Sequence, residues 1–574
     1  MMRPYAQRSL LFLAAVAMTF ASLVYADESE TAARQSAARA ILAPESEQAT
    51  IVQDMAANPS PVLGPIFEAW QRSQVYIYEA PDGARIPFIL MPADGSASKA
   101  VRIDNGEPLV GPDGAPIVVD ETVMKPAETF AKLRRAMRST MDLLALADPA
   151  PAIRQSAILK LGMKQSPEAL PILNARLAKE QDKAVKNGIL DAIALINLAS
   201  PDPQLQIDAL NQLKKSNSIP SRELVAKMAA DETLSPKVRA AASSTLKAID
   251  NHLFWVDFFG TMFRGVSLGS VLLVVALGLA ITFGLMGVIN MAHGEIMVVG
   301  GYATYLVQCV FGSGVALAPF GISVNLPGFG FDPNSGIYQS YFLFALPVAF
   351  LSAAAVGILL ERGVIQFLYR RPLESLLATW GVSLVMQQLF RLIFGPANAP
   401  VYSPAWLLGS FSVGDVIMNY NRVFVIIFAV AIVVGTSLLL AKTPVGLLIR
   451  AVMQDRTTAA CMGVRTRKVN TLTFAFGSGL AGLAGAFLSQ IGNIGPSTGQ
   501  TYIVDSFMVV VVGGIGNLIG TVISALGIGT VDQILQTSLR NPVIGKVLVL
   551  VGIILFLQWK PSGLFATKGR GLEN

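Results

Sequence analysis

The fold is decided by stretches such as VSLGSVLLVVALGLAITFGLMG, residues 266–287, which carries no charged side chain. An α-helix advances about 1.5 Å per residue, so this stretch can cross the roughly 30 Å hydrocarbon core of a bilayer. Similar apolar stretches follow at 295–311, 341–361, 376–394, 423–441, 472–491, 504–535 and 543–559. The sequence therefore predicts an all-α membrane protein of about 8–9 spans.

Charge divides the 574-residue chain into two unlike parts. Residues 27–250 hold 28 acidic and 25 basic side chains, a density that is normal for a soluble domain. Residues 251–574 hold only 10 acidic and 17 basic side chains. The basic excess there is scattered, which indicates orientation in a membrane and not nucleic-acid binding. We therefore predict a soluble domain at 27–250 and a transmembrane domain at 251–574.

The first 26 residues have the three parts of a secretory signal peptide. Arg3 and Arg8 precede an uncharged run at 9–25, and Val24-Tyr25-Ala26 places small residues before a cleavage point. The run is short for a membrane span, and an uncleaved anchor is the alternative. Either interpretation exports the soluble domain from the cytoplasm.

The exported domain is predicted to be mainly helical with a small sheet. Short β-type runs lie at 75–78, 86–90, 100–103 and 116–119. Asx-Gly pairs separate them and favour hairpins, so 75–123 is expected to be β-rich. Residues 130–250 read as short amphipathic helices with Pro and Asp at the joints, which resembles HEAT-type repeats. A partner-binding surface and an ordinary helical bundle both fit this pattern.

Basic residues predict which loops face the cytoplasm, since cytoplasmic loops carry an excess of Lys and Arg. They concentrate at 362–371, 442–468 and 560–570. If the N-terminal domain is exported, the C-terminus lies inside only when 504–535 crosses twice, broken near Gly513-Gly514-Ile515-Gly516-Asn517. A single crossing would leave the C-terminus outside. We prefer the broken version, because broken helices expose backbone groups to a pathway in transporters.

Few polar side chains interrupt the apolar part, and they are the candidates for a substrate pathway. The candidates are Asn290, His293, Glu295, Thr379, Gln387 and Gln388. The first three lie at the predicted inner end of the first span, and the others lie in the fourth span. An ionisable residue in a span is a functional-site hypothesis, and a hydrogen-bonded turn or bonds between helices are the alternatives.

The segment 443–468 predicts a short amphipathic helix on the cytoplasmic side, which Pro444 can start and Gly463 can end. It offers apolar and basic groups to a partner protein, and a helix on the membrane surface is the alternative. Its candidate residues are Pro444, Gly446, Arg450, Gln454, Asp455, Arg456 and Gly463.

Glycines recur every three residues in the sixth span, which lets two helices approach closely. The stretch 477–482 also matches a dinucleotide-binding pattern, but it has no surrounding βαβ unit. The predicted packing residues are Gly479, Gly482, Gly485, Gly513, Gly514 and Gly516. Gly545-Lys546-Val547 lacks the rest of a Walker A motif, so we expect any ATPase to be another chain.

Several blocks resemble the LivH-type permeases, the membrane subunits of ABC importers for branched-chain amino acids and related solutes. The blocks include 287–295, 371–373, 394–396, 450–456, 474–485, 512–516 and 561–565. The resemblance extends in order over about 262–566. Within this family, the exported extension and the block 376–383 look most like the urea permease subunits, UrtB.

The resemblance implies a multi-pass permease of the bacterial inner membrane, with a periplasmic N-terminal domain and a cytoplasmic C-terminus. Residues 444–463 would be the coupling helix that docks on an ATPase. The implied partners are a second permease subunit, two ABC ATPase subunits, a periplasmic solute-binding protein and the lipid bilayer. The chain is expected to be a transport subunit and not an enzyme, with no metal or cofactor of its own and ATP used by its partners.

We expect urea or a short-chain amide as the solute, since a neutral solute needs amide, hydroxyl and backbone partners more than fixed charge. Branched-chain amino acids are the alternative, and a zwitterion would need a charge partner or an exposed helix end. Two alternatives come from other classes. One is an ion-coupled transporter or channel that uses His293 and Glu295, and the other is a membrane-anchored scaffold.

Overall fold

The computed structural model describes residues 30–55, 60, 62–79, 85–91, 99–109, 126–317, 324–369 and 371–565. The predicted signal peptide at 1–26, the β-type run at 116–119 and residues 566–570 of the last basic segment lie outside these residues. The chain divides into two compact units, Met1–Leu253 and Phe254–Asn574.

The first unit opens with helices around a small sheet. Helices α1 (30–42), α2 (Glu45–Asp54), α3 (Leu63–Gln71) and α4 (Ala131–Leu144) share one core, in which Trp70 is fully buried. Strands β1 (Val75–Glu79), β2 (Arg85–Met91) and β3 (Lys99–Arg102) form an antiparallel sheet in chain order. The first three predicted β-type runs are therefore confirmed as strands.

A series of short helices completes the first unit. They are α5 (Pro151–Met163), α6 (Leu170–Lys179), α7 (Lys183–Asn197), α8 (Pro203–Ser216), α9 (Arg222–Ala230) and the first turns of α10 (Pro236–Met286). Proline opens α5 and α8, where its missing N–H costs no helical hydrogen bond. Asp182 caps α7 by accepting from the N–H groups of Ala184 and Val185. Successive cores share α7, as expected for stacked helical repeats.

A buried ion pair holds the joint between α6 and α7. The Glu180 side chain is 3% exposed and accepts two hydrogen bonds from Arg154, each 3.0 Å long. It also accepts from Arg176 at 2.9 Å and from the backbone N–H groups of Gln181 and Asp182. Burial alone would raise the pKa of Glu180, but these donors together lower it to about 2.

The second unit is a bundle of long apolar helices with two short hairpins. After α10 come α11 (His293–Phe311), α12 (Gly336–Gln339), α13 (Tyr341–Gly363), α14 (Pro372–Phe394), α15 (Tyr420–Lys442), α16 (Pro444–Gln454), α17 (Arg456–Cys461), α18 (Thr466–Ile491), α19 (Thr498–Gly513), α20 (Leu518–Leu539) and α21 (Pro542–Trp559). Strands β4 (Gly314–Leu317) and β5 (Val324–Pro327) pair between α11 and α12, and β6 (Ser410–Val413) and β7 (Val416–Asn419) pair before α15. Within the described residues, eight helices are long and apolar enough to cross a membrane.

The predicted break within 504–535 is present. Helix α19 ends at Gly513, α20 begins at Leu518, and both Gly514 and Gly516 between them have positive φ. Asn517 caps α20 by accepting from the N–H of Gly520. The first of the two helices begins at Thr498, six residues before the predicted stretch, because its polar first turn hides it from a hydropathy average. At 16 residues it is about 24 Å long, shorter than the other spans.

Glycine contacts bring the central helices close together. A Cβ on Gly485 of α18 would lie 1.9 Å from the carbonyl oxygen of Met297 on α11. A Cβ on Gly482 would lie 2.4 Å from the carbonyl oxygen of Ala349 on α13. Helix α18 therefore contacts α11 and α13 backbone to backbone, and only residues without a side chain fit at these points.

Hydrogen bonds show which connecting segments lie together at each end of the bundle. At one end Arg467 donates to Gln366 at 2.6 Å, and the N–H of Leu564 donates to the carbonyl oxygen of Val512. At the other end the N–H of Ala399 donates to the carbonyl oxygen of Ile494. Met453 lies beside Gly516, four residues after Val512, so the described parts of the three basic segments share one end, which we call the basic end. That this end faces the cytoplasm stays a prediction.

We expect Glu180→Gln to destabilise the first unit by roughly 3 kcal/mol, because it leaves the buried Arg154 without its carboxylate. The stabilisation should be present above about pH 4.5 and lost as the pH falls towards 2, because the folded-state pKa lies below the ordinary value. Hydrogen exchange of peptides from α5 to α7 in the purified full chain measures both effects. Glu223→Gln, which breaks an exposed pair with Lys227, is the control and should leave exchange unchanged.

We expect Gly485→Ala to prevent normal folding of the bundle, since the added Cβ meets backbone atoms that cannot rotate away. The measurement is the fraction of detergent-solubilised protein that elutes as a single species. Gly435→Ala in α15 is the matched control, because a Cβ there meets nothing within 4 Å. Equal elution of the two variants would contradict the packing role of Gly485.

Candidate functional site

Helix α11 begins inside the bundle and not at its surface. The His293 ring nitrogen Nε2 lies 3.2 Å from the carbonyl oxygen of Val275 on α10. That carbonyl is eleven residues before the end of α10 at Met286, or about 16 Å along the helix. The prediction that His293 lies at the inner end of the first span is therefore wrong. The chain turns back after α10, which a hydropathy pattern cannot reveal.

The turn between α10 and α11 is held by polar side chains. Gly287 adopts a φ of +64°, which allows the reversal. Asn290 Oδ1 accepts from the N–H of Ala292 at 3.1 Å, and Thr379 Oγ1 on α14 accepts from the N–H of Met291 at 3.1 Å. The Thr379 hydroxyl lies 2.8 Å from the carbonyl oxygen of Ser375, one turn earlier in α14. These bonds fix the turn that leads into α11, since both N–H groups belong to residues that precede His293.

Glu295 lies in the first turn of α11 and is 1% exposed. Its Oε1 accepts from Gln387 Nε2 at 3.0 Å and from the Ser383 hydroxyl at 3.3 Å. Its Oε2 has no hydrogen-bond partner among the described residues. Both donors are neutral, and none of the ion pairs among the described residues includes Glu295. The carboxyl group is therefore buried with half of its hydrogen-bonding capacity unused.

The N-terminus of α19 lies against the N-terminus of α11. A Cβ on Gly294 would lie 2.3 Å from the carbonyl oxygen of Gly499, and one on Gly499 would lie 2.8 Å from the carboxyl carbon of Glu295. Both helices start here, and each carries N–H groups in its first turn that no helical carbonyl accepts. Two positive helix ends and one carboxyl group therefore meet at this point.

The same region holds further unpartnered polar atoms. Asn290 Nδ2 and His293 Nδ1 have no partner among the described residues, and the two side chains are 2% and 0% exposed. The Tyr302 hydroxyl on α11 is also buried without a partner, and its ring stacks on Phe394 at 4.0 Å. We call Asn290, His293, Glu295, Ser383, Gln387 and the first turn of α19 the polar centre.

The structure brings together five of the six predicted pathway residues. Thr379 holds the turn, and Gln387 binds Glu295. Gln388 lies on the exposed face of α14, away from them. Sequence reasoning missed Ser383, which its position four residues before Gln387 could have indicated, since such residues share a helix face. It also missed Gly499, for which nothing in the local sequence gives a signal.

The predicted amphipathic segment forms two helices at the basic end. Thr443 caps α16 by accepting from the N–H of Gly446 at 3.1 Å. Asp455 interrupts the helix because its side chain accepts from the N–H groups of Thr457 and Thr458, which starts α17. Hydrogen bonds from the hydroxyl and N–H of Thr458 hold the pKa of Asp455 below its ordinary value. Gly463 ends the segment with a φ of +84°, as predicted for a helix stop.

Helix α16 has a buried and an exposed face. Ile449 and Val452 are buried, whereas Val445, Leu447 and Leu448 are exposed. Arg450 Nη2 lies 3.5 Å from the carbonyl oxygen of Ala441, and Gln454 ends α16. In α17, the Arg456 guanidinium lies 4.6 Å from the centre of the Tyr369 ring. The exposed apolar face is available to a partner at the basic end.

One residue links α16 to the break between α19 and α20. Met453 of α16 contacts the end of α10 at Gly284 and the break at Gly516, where built Cβ atoms would lie 3.2 and 3.8 Å from its methyl group. Beside it lies a cavity of about 250 Å³, lined by Ile281, Leu440, Ile449 and neighbouring side chains. A displacement of α16 would therefore reach the break through Met453, and the cavity leaves room for that movement.

A second set of polar side chains lies on α19, α20 and α21, and an ion pair joins the first and last of these helices. Lys546 of α21 donates to Asp505 of α19, and the Asp505 side chain is 13% exposed. Asp532 of α20 is 5% exposed, and its Oδ2 accepts from Gln536 at 2.8 Å. The ion pair ties the last helix to α19. Among the described residues, no group of three His, Cys, Asp or Glu side chains is arranged to hold a metal ion.

Comparison with known proteins places these features in context. The family described as "Branched-chain amino acid transport system / permease component" matches residues 261–557. The chain is 26% identical over 316 residues to the high-affinity branched-chain amino acid permease LivH of Salmonella typhimurium, covering 54% of this chain and 95% of that protein. It is 25% identical to BraD of Pseudomonas aeruginosa, over 52% of this chain and 93% of BraD. It is 27% identical to a probable LivH of Methanocaldococcus jannaschii, over 53% and 91%. No solved structure matches.

We expect Gln387→Leu to destabilise the bundle by about 1–3 kcal/mol, because it removes the closer of two donors to a buried carboxyl group. Gln388→Leu is the matched control, since the neighbouring side chain is exposed and should tolerate the change. The measurement is the midpoint of thermal unfolding in detergent for both variants. A lower midpoint only for Gln387→Leu is expected, and equal midpoints would contradict the role of Gln387 at Glu295.

Proposed function

This chain belongs to the permease-component family of branched-chain amino acid transport systems, and we propose that it is the membrane permease subunit of an ATP-driven importer for branched-chain amino acids. The observation that carries the proposal is the meeting of two helix starts beside a buried carboxyl group. Transporters build solute sites from such interrupted helices, whose N-termini attract anionic groups. An amino acid carries both an anionic and a cationic group.

The amino acid alternative takes precedence over our expectation of urea. The relatives named above are branched-chain amino acid permeases, and they match over more than nine-tenths of their own length. A neutral solute needs only uncharged hydrogen-bonding partners, so it does not require a buried carboxyl group. Glu295 is a potentially charged group whose burial is costly, which favours a solute with a compensating charge.

Coupling to ATP hydrolysis is proposed to pass through α16. Its exposed residues Val445, Leu447 and Leu448 would dock on an ATPase, which agrees with the resemblance of 444–463 to a coupling helix. Movement of the ATPase would displace Met453, which contacts both Gly284 and Gly516. The break would then tilt α19 relative to α11 and open the polar centre to one side at a time.

The partners are proposed from the family. They are a second permease subunit, two ATPase subunits, a solute-binding protein on the membrane face opposite the ATPases, and the lipid bilayer. The first unit, Met1–Leu253, lies outside the matched residues 261–557. Its stacked helices would serve to bind a partner, and the Asp and Pro at their joints are structural.

We expect cells that lack this chain to lose uptake of labelled leucine, and the wild-type chain to restore it. Leu447→Asp should fail to restore uptake, because it places a charge on the face of α16 proposed to dock on the ATPase. Val413→Asp in the hairpin at the opposite end is the matched control, since Val413 is equally exposed. The measurement is initial uptake of leucine and of urea at equal amounts of membrane protein.

Several outcomes would contradict this proposal. Loss of urea uptake alone would return the solute to our first expectation. Uptake that survives loss of the ATPase subunits but collapses with the proton gradient would indicate an ion-coupled transporter. Unchanged uptake of both solutes in the deletion strain would favour a scaffold.

A further inference from the structure

We propose that the polar centre is a binding site for a zwitterion, in which Glu295 binds the ammonium group and the first turn of α19 binds the carboxylate. The inference rests on the proposed function, because it assigns the two charges of an amino acid to two features of this chain.

Among the described residues, Glu295 has no cationic side chain as a partner. A carboxyl group that is 1% exposed needs a compensating cation or full hydrogen bonding, and Glu295 has two neutral donors on one oxygen and none on the other. A fully satisfied case exists in the same chain. Glu361 is also 1% exposed, and its two oxygens accept from the Tyr369 hydroxyl and from the Thr471 hydroxyl at 2.7 Å. The unused oxygen of Glu295 is therefore free to accept from a donor such as an ammonium group.

The positive N-terminus of α19 lies beside Glu295, where it can bind the anionic group of the solute. The N-terminus of α19 presents backbone N–H groups and the positive end of a helix dipole. Its second residue, Gly499, lies against the carboxyl group of Glu295. In an α-amino acid the ammonium and carboxylate groups are attached to the same carbon atom. A site for both must therefore place an anionic side chain beside an anion-binding backbone, as Glu295 and Gly499 do.

The structure shows this site closed. The backbones of Gly294 and Gly499 touch, so a solute can enter only when α11 and α19 separate. Asn290 Nδ2 and His293 Nδ1, which have no partner in the described part of the chain, are then available to complete the site. Glycine at both positions allows the two helix starts to close on each other when the site is empty.

The test compares Glu295→Gln with Glu361→Gln in the full chain, assembled with its partner subunits. Both substitutions replace one buried carboxyl group with an amide of nearly the same shape. We expect Glu295→Gln to lower leucine uptake by about tenfold or more, since a hydrogen bond to a charged group is worth about 1.5–3 kcal/mol. ATP hydrolysis and assembly should persist. Glu361→Gln should keep uptake within about twofold of wild type, and Glu295→Asp should restore part of the lost uptake.

Each remaining outcome overturns one specific claim. If the wild-type chain takes up no leucine, the proposed function fails before the variants are compared. If the wild type takes up leucine and Glu295→Gln does so equally well, the zwitterion site fails and the proposed function stands. Loss of assembly or of ATP hydrolysis together with uptake would assign Glu295 a structural role. Uptake by the wild type that stops with a protonophore while ATP is maintained would assign Glu295 to a proton.

Discussion

A helix that begins inside a membrane protein must satisfy its first N–H groups without water, and α11 and α19 both begin under this constraint. Before α11, Asn290 and Thr379 accept from N–H groups of the turn that leads into the helix. In α19 the Thr498 hydroxyl accepts from the N–H of Gly495, which shapes the approach to the helix. The two starts lie against each other, so their positive ends add and Glu295 lies beside them. The polar centre follows from this arrangement.

Such an arrangement is possible only because the surrounding helices approach unusually closely. Helix α18 lies between α11 and α13, and its glycines contact the backbone of both neighbours. Without a hydrophobic driving force between helices in lipid, close packing of this kind supplies much of the association energy. The same close approach excludes water from the polar centre. A buried carboxyl group there interacts strongly with any charge that enters, because a low dielectric strengthens electrostatic attraction.

The rigid core and the movable parts occupy different places. The helices α11, α13 and α18 are joined by glycine contacts that leave no room for rearrangement. The break at 514–517, with two glycines at positive φ, adjoins both a cavity and Met453 of α16. In the proposed mechanism, a force applied at the basic end would reach the break through Met453, and Ile449 and Val452 of α16 also pack against Val469 of α18. Thr379 holds the turn before α11.

Apolar length in the sequence predicts about 8–9 spans and their approximate positions, and the glycines near Gly513 predict the break that the structure shows. Local patterns also predict the first three strands and the helical character of the first unit. These features depend on residues close together in the sequence. Apolar length predicts the spans, glycines predict the break, and Asx-Gly pairs predict the turns between strands. The sequence also identified Asn290, His293, Glu295 and Gln387, since polar residues are rare in spans. Two features depend on the packed fold, namely the turn of the chain after α10 and the contact of Gly499 with Gly294. The second contact joins residues about 200 positions apart and depends on backbone shape, which leaves no periodic mark in the sequence.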